Sequence, residues 1–171
     1  MSEYTQAALY DAVKKYLDGE LDGCKWNYQE VLAKNVIFGG AINKLPGKIS
    51  ELAFCLIVAE KSVCCYHIAP INVPESQRSA VAEYLHRANF GLPDGNFEMD
   101  YDDGEMRFKI TLQAHDLLYD DKAALQSLDY IMRLGPAIWG RYGDNLVSVA
   151  LGNCPADTGI KELVEQSEKA G

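Results

Sequence analysis

The chain has 171 residues, 48% of them apolar and 24% charged, a globular composition long enough to bury one sizeable core. A formal net charge of -9 with no basic run excludes nucleic acid as the natural partner, because that affinity rests on Lys and Arg displacing counterions; basic or partly unfolded protein segments are what such a chain attracts. The apolar run that includes Ala53 to Ala59 falls far short of the roughly 20 residues of a membrane span, and the polar start Ser2-Glu3-Tyr4-Thr5-Gln6 carries no signal-peptide pattern.

The spacing of Tyr4, Ala8, Ala12, Val13, Tyr16 and Leu17 predicts a first helix over Tyr4–Leu17, stopped by Asp18-Gly19 and Asp22-Gly23. Strands follow over Trp26–Ala33 and Val36–Ile42, the second made irregular by Gly39-Gly40. Two more, Lys48–Ala59 and Ser62–Val73, flank Glu60-Lys61. A two-residue loop or a symmetric four-residue loop there sets Val58 opposite Val63 and Leu56 opposite Cys65. Leu52, Phe54, Leu56, Val58, Val63 and Cys65 then share one face, and Ala53, Cys55, Ile57, Ala59, Cys64, Tyr66 and Ile68 the other. Two apolar faces predict a central pair covered on both sides by helices or by a second subunit.

Pro74 opens a second helix with an apolar face of Val81, Tyr84, Leu85 and Ala88, closed by Asn89, Gly91 and Pro93. Asn96–Tyr101 and Glu105–Leu112 then flank Asp103-Gly104, a type I′ hairpin signal. With that dipeptide as the loop, Tyr101 faces Met106, Met99 faces Phe108 and Phe97 faces Ile110. On the other face Asp100 meets Arg107 and Glu98 meets Lys109. Asp120-Asp121 caps a third helix through Leu134, which Gly135-Pro136 is expected to break or kink. A further helical stretch runs from Ala137 to Gly152-Asn153, and Thr158 caps a last short one over Gly159–Lys169. The order reads as one α+β domain over residues 1–171, with a mostly antiparallel sheet and a short appended helix in the tail from about residue 153.

Val73-Pro74-Glu75, Arg78, Val81, Tyr84-Leu85, Arg87-Ala88-Asn89-Phe90, Pro93 to Asp100 and Asp103 to Phe108 together resemble the YbjN-domain family of bacteria, described as sensory-transduction regulators. The likeness covers most of the chain, including Tyr142–Gly152 and Gly159–Ser167, and is strongest between Val73 and Leu112. It implies the order α-β-β-β-α-β-β-α, a sheet of about five strands, and a fold like that of the type III secretion chaperones. Those chaperones are small, acidic and commonly dimeric, and they hold unfolded segments of other proteins. A homodimer and a protein client or regulatory partner are therefore what the resemblance implies; it supplies no catalytic residues.

The residues themselves supply no catalytic constellation either. Cys64-Cys65-Tyr66-His67 has the composition of a soft-metal site, but on a strand Cys65 and His67 face one way and Cys64 the other, and zinc wants four ligands. Asp100-Tyr101-Asp102-Asp103-Gly104-Glu105 suggests a calcium loop, yet glycine falls fifth and Thr111 occupies the twelfth position, where an EF-hand needs glycine sixth and glutamate twelfth. His115-Asp116 reads as a solvated loop pair in a chain with no GxSxG elbow, phosphate loop or dinucleotide fingerprint. Cys24, Cys55, Cys64, Cys65 and Cys154 are odd in number, without CxxC spacing, which fits reduced thiols in a cytoplasm. No cofactor is expected.

Trp26, Tyr28 and Tyr142 are the candidate partner-binding aromatics, since such side chains often anchor interfaces, whereas Trp139 belongs in the core. The leading expectation is a non-enzymatic binding protein with a chaperone-like or regulatory role, capturing an extended or amphipathic client segment along a sheet edge or apolar groove. The alternative is a small-molecule sensor with a pocket between sheet and helix. A hydrolase built on His115 or a cysteine ranks third.

Overall fold

The computed structural model describes residues 5–31, 35–43, 45–161 and 163. Its elements in chain order are α1 (Gln6–Leu17), β1 (Tyr28–Val31), β2 (Val36–Asn43), β3 (Glu51–Val58), β4 (Ser62–Asn72), α2 (Arg78–Phe90), β5 (Asn96–Met99), β6 (Glu105–Gln113), α3 (Ala114–Leu117) and α4 (Asp121–Ala150). The strands form a six-stranded sheet in the order β1-β2-β3-β4-β6-β5, antiparallel at every pairing. The α+β architecture with an antiparallel sheet is as expected, with six strands in place of about five.

Period-two alternation builds the sheet. The β3–β4 register pairs Val58 with Val63 and Leu56 with Cys65, as the loop geometry predicts. Leu52, Phe54, Leu56, Val58, Val63, Cys65 and His67 are all buried on one face. Against them pack Leu9, Val13 and Leu17 of α1, Val81, Tyr84 and Leu85 of α2, and Leu128, Ile131, Met132, Trp139 and Leu146 of α4, one continuous core. The helices lie on this side. The opposite face is uncovered among the described residues, so the helical cover expected there is absent among them.

Several local expectations are corrected. Residues 32 and 33 of the expected first strand lie outside the described residues, and Trp26 precedes β1. Pro74 leads into a 3-10 turn, Glu75–Gln77, before α2 begins. The β5–β6 hairpin pairs Met99 with Met106, Phe97 with Phe108 and Glu98 with Arg107, a register two residues from the one expected. A shift of two keeps every side chain on its face; what changes is the loop. Asp100 N–H bonds Glu105 O at 2.9 Å and Gly104 N–H bonds Asp100 O at 2.9 Å, so the loop is Tyr101–Gly104, with Gly104 at φ 82°. Its backbone takes up the acidic side chains: Asp100 accepts from Asp102 N–H and Asp103 from Glu105 N–H, both at 2.8 Å. Those bonds fix Asp100 and Asp103 in the turn.

Helix α4 runs unbroken through Gly135-Pro136 for 30 residues, where a break or kink was expected. Asp120 caps it, accepting from Ala123 N–H at 2.7 Å. His115 sits on the short helix α3, exposed, with Nε2 3.0 Å from Asp116 Oδ1. The last helical turn begins at residue 156 with Thr158 inside it, and Ala156 and Leu163 join the core; residues 164–169 of the expected helix lie outside the described residues.

Candidate functional site: the open face of the sheet

On the uncovered face, the pairings set residues in rows across the sheet. One row is Val31, Val36, Ile57, Cys64 and Thr111; the next is Gln29, Phe38, Cys55, Tyr66, Lys109 and Asn96; the third is Ala53, Ile68, Arg107 and Glu98. The rows divide the face into two halves. From β1 to β4 it is apolar, and over β6 and β5 it is charged.

The apolar half is exposed: Phe38 keeps 47% and Val31 37% of its surface in solvent. Val31, Val36, Phe38, Cys55, Ile57, Tyr66 and Ile68, bounded by Glu105 and Arg107, line a groove of about 380 Å³. Contiguous exposed apolar surface of this kind marks an interaction site more often than do scattered single residues. Cys55 lies at its floor, where burial pushes its thiol up to about 11, so it contributes an apolar contact and no thiolate nucleophile.

The charged half is already compensated. Glu98 accepts from Arg107 Nε at 2.9 Å and from Lys109 Nζ at 3.2 Å. Burial works against its charge, but these bonds and one from Asn96 outweigh it and hold the carboxyl below the usual range. The Arg107 guanidinium also stacks on Tyr66, 4.4 Å from the ring centre. Tyr66 thus joins the two halves, and burial raises its hydroxyl to about 12.

The two sheet edges are treated differently. At the β5 edge, Asn89 of α2 accepts from Phe97 N–H at 2.7 Å and donates to Phe97 O at 3.0 Å. One side-chain amide thereby occupies both outward backbone groups of Phe97, as a neighbouring strand would. At the β1 edge, no described strand pairs with the outer side. Gly40 N–H bonds Asn27 O at 2.8 Å, which turns the backbone groups of Asn27, Gln29 and Val31 toward β2. By alternation, those of Tyr28 and Glu30 point outward.

None of the three candidate aromatics from the sequence lies on the open face. Tyr142 is buried with its ring 5.8 Å from that of Phe97. Trp26 is half-buried, edge-on to Phe54 at 5.6 Å and 6.2 Å from Tyr16. Tyr28 is half-buried on the helix side of β1 and donates its hydroxyl to Asp18 at 2.7 Å. The exposed ring of the open face is Phe38, whose signal was strand alternation carried past Val36. Phe90, 95% exposed, and Tyr119 are exposed elsewhere.

The Cys65–His67 pair does face one way, into the core. Cys65 Sγ is 3.8 Å from both ring nitrogens of His67, an equal spacing that puts the sulfur over the ring face, where no nitrogen lone pair points. Its other neighbour is Met132 Sδ at 4.0 Å. This is core packing, and among the described residues no group of three or more His, Cys, Asp or Glu is placed to hold a metal ion. No described helix is long and apolar enough to cross a membrane. No family model matches the chain, and no curated protein or solved structure matches it either.

Proposed function

We propose that the chain is a protein-binding module, with a chaperone-like or regulatory role, that holds an amphipathic segment of a partner protein on the open face of its sheet. The observation that carries this reading is the contrast between the two faces. One is sealed by helices, while the other leaves Val31, Phe38, Ile57, Tyr66 and Ile68 at the surface. Removing that surface from water would supply affinity at about 25 cal/mol per Å² of apolar area. The net charge of -9 would favour basic segments and repel acidic ones. The cytoplasm is the compartment that fits five free thiols. No arrangement of nucleophile, base and oxyanion donors enters this reading.

The test is a quantitative affinity capture from the native cell lysate with tagged wild-type chain and with Phe38→Asp and Ile68→Asp variants. Both substitutions fall on exposed or half-exposed positions, so the variants should melt near the wild-type temperature. A near-stoichiometric protein partner bound by the wild type and lost by both variants is expected. A partner retained equally by the folded variants, or none recovered by any form, would overturn the proposal.

A further inference from the structure

We infer that the partner segment binds as a seventh strand on the β1 edge, with apolar residues facing the open groove and basic residues facing α1. This deepens the reading above and rests on it.

The argument begins with the asymmetry of the edges. Strand edges are templates for pairing, and folded proteins close those they do not use. Here Asn89 closes the β5 edge through Phe97, beside the charged, compensated half of the face. The β1 edge is unpaired among the described strands and adjoins the apolar half. An added strand would find the outward N–H and C=O groups of Tyr28 and Glu30. Its residues opposite Gln29 and Val31 would extend the rows that run through Phe38 and Ile57.

The alternate residues of that strand, opposite Tyr28 and Glu30, would lie on the helix side. There Glu30 is bound by Lys14 Nζ at 2.6 Å and by the Tyr10 hydroxyl at 2.8 Å. Asp18 accepts from Tyr28, and Asp11 borders the shallow groove beside Tyr10 and Asn35. Asp11 and Asp18 thus add negative charge beyond the Lys14–Glu30 pair, so the complementary residue is Lys or Arg. A second copy pairing edge to edge would set this acidic flank against itself on chains of charge -9, which disfavours self-association there. The segment is therefore apolar and basic in alternation. Backbone bonds would give it affinity, and its alternate side chains selectivity.

The probe is a fluorescein-labelled peptide of alternating valine and lysine, measured by anisotropy against the same composition in two blocks. The alternating peptide should bind at least ~10-fold tighter than the block peptide, since only it matches both faces of a strand. Glu30→Pro removes one outward N–H at an edge position where proline is tolerated, and Glu30→Ala controls for the lost contacts to Lys14 and Tyr10. Glu30→Ala, which also frees the Lys14 charge, sets the baseline, and Glu30→Pro should bind ~10-fold or more weaker than Glu30→Ala. Methylating alternate backbone nitrogens of the peptide tests the same pairing without touching the protein. In the complex, amide exchange should slow at Tyr28 and Glu30 and stay unchanged at Phe97.

Binding insensitive to Glu30→Pro and to both patterns of peptide methylation, but lost in Phe38→Asp, would overturn strand addition and leave the open face as the docking surface. No binding of the alternating peptide by the folded wild type would also overturn the inference. So would a dimer whose Tyr28 and Glu30 amides are already protected, because a second copy would then hold the edge.

Discussion

His67 supplies the hydrogen bond that Pro136 cannot make. A proline at 136 has no N–H to give the carbonyl of Met132 one helical turn earlier, and the imidazole of His67, reaching across from β4, bonds that carbonyl in its place. Gly135 makes the approach possible, because a Cβ there would overlap Nδ1 of the same ring. The Trp139 indole then donates to His67 O at 3.1 Å, tying the following turn of α4 to the same strand residue. This is how α4 passes a Gly-Pro dipeptide without ending.

The bond predicts a thermodynamic coupling. In the wild-type background, His67→Phe leaves the Met132 carbonyl buried without a donor, a cost of about 1–3 kcal/mol beyond any change in packing. In a Pro136→Ala background the helix supplies the missing N–H, and the same substitution should cost less. Urea unfolding of the two single variants and the double variant forms the cycle. An interaction of about 1 kcal/mol or more is expected, and additivity would show that the two residues act independently.

The same histidine makes stability depend on pH. Burial holds its imidazole down at about 4 from an ordinary 6.5, although the bond to Met132 favours the proton. The folded value lies below the unfolded one, so between pH 6.5 and about 4 the unfolded chain binds the extra proton. Stability therefore falls as pH falls through that window, by at most about 3 kcal/mol from this group. Unfolding free energies of the wild type and of His67→Gln, followed across the window, should diverge in slope. Parallel curves would remove His67 as the cause.

What the sequence disclosed follows from what period and turn chemistry determine. Alternation fixed which face each residue of β3, β4, β5 and β6 occupies, because a slip of one residue would turn the whole apolar set outward. It could not separate two registers of β5–β6 that differ by two residues. In the observed wider turn the Asp100 and Asp103 side chains bond loop N–H groups, which the strand pattern does not encode. The break expected at Pro136 ignored a donor 69 positions away in sequence, on a strand. The apolar residues of the outer face suggested burial by a second layer, and composition alone does not say whether that layer comes from the same chain. Trp26, Tyr28 and Tyr142 were singled out as aromatic; their half-buried or buried positions depend on which helix lies over them.

The Asn89 amide should be a measurable stabilising clamp. Asn89→Ala removes a donor and an acceptor from Phe97 at once, a loss of about 1–3 kcal/mol. Asn89→Asp keeps the acceptor for Phe97 N–H and loses the donor to its carbonyl, so it should fall between Ala and wild type. Hydrogen exchange at Phe97 should accelerate in the Ala variant while exchange in β3 and β4 is unchanged relative to global stability. Equal exchange at Phe97 in all three forms would show that the β5 edge is protected by other means.

Gly39 and Gly40 are neighbours with different reasons to be glycine, and substitution should separate them. Gly39 pairs with Phe54 across β2–β3, and a Cβ on Gly39 would overlap the Phe54 ring. That ring is buried and Trp26 meets it edge-on at 5.6 Å, which restricts its movement. Gly39→Ala should therefore cost about 1–3 kcal/mol by overpacking, or more if β2 shifts. Gly40 borders the one-residue slip between Gly39 and Ile42, and a Cβ there would meet Asn27 no closer than 3.6 Å. Its φ is not positive, so Gly40→Ala should change stability by less than about 1 kcal/mol. Thermal melts of the two variants decide the matter. Similar losses at both would mean that the bulge, and not the Phe54 ring, demands glycine in β2.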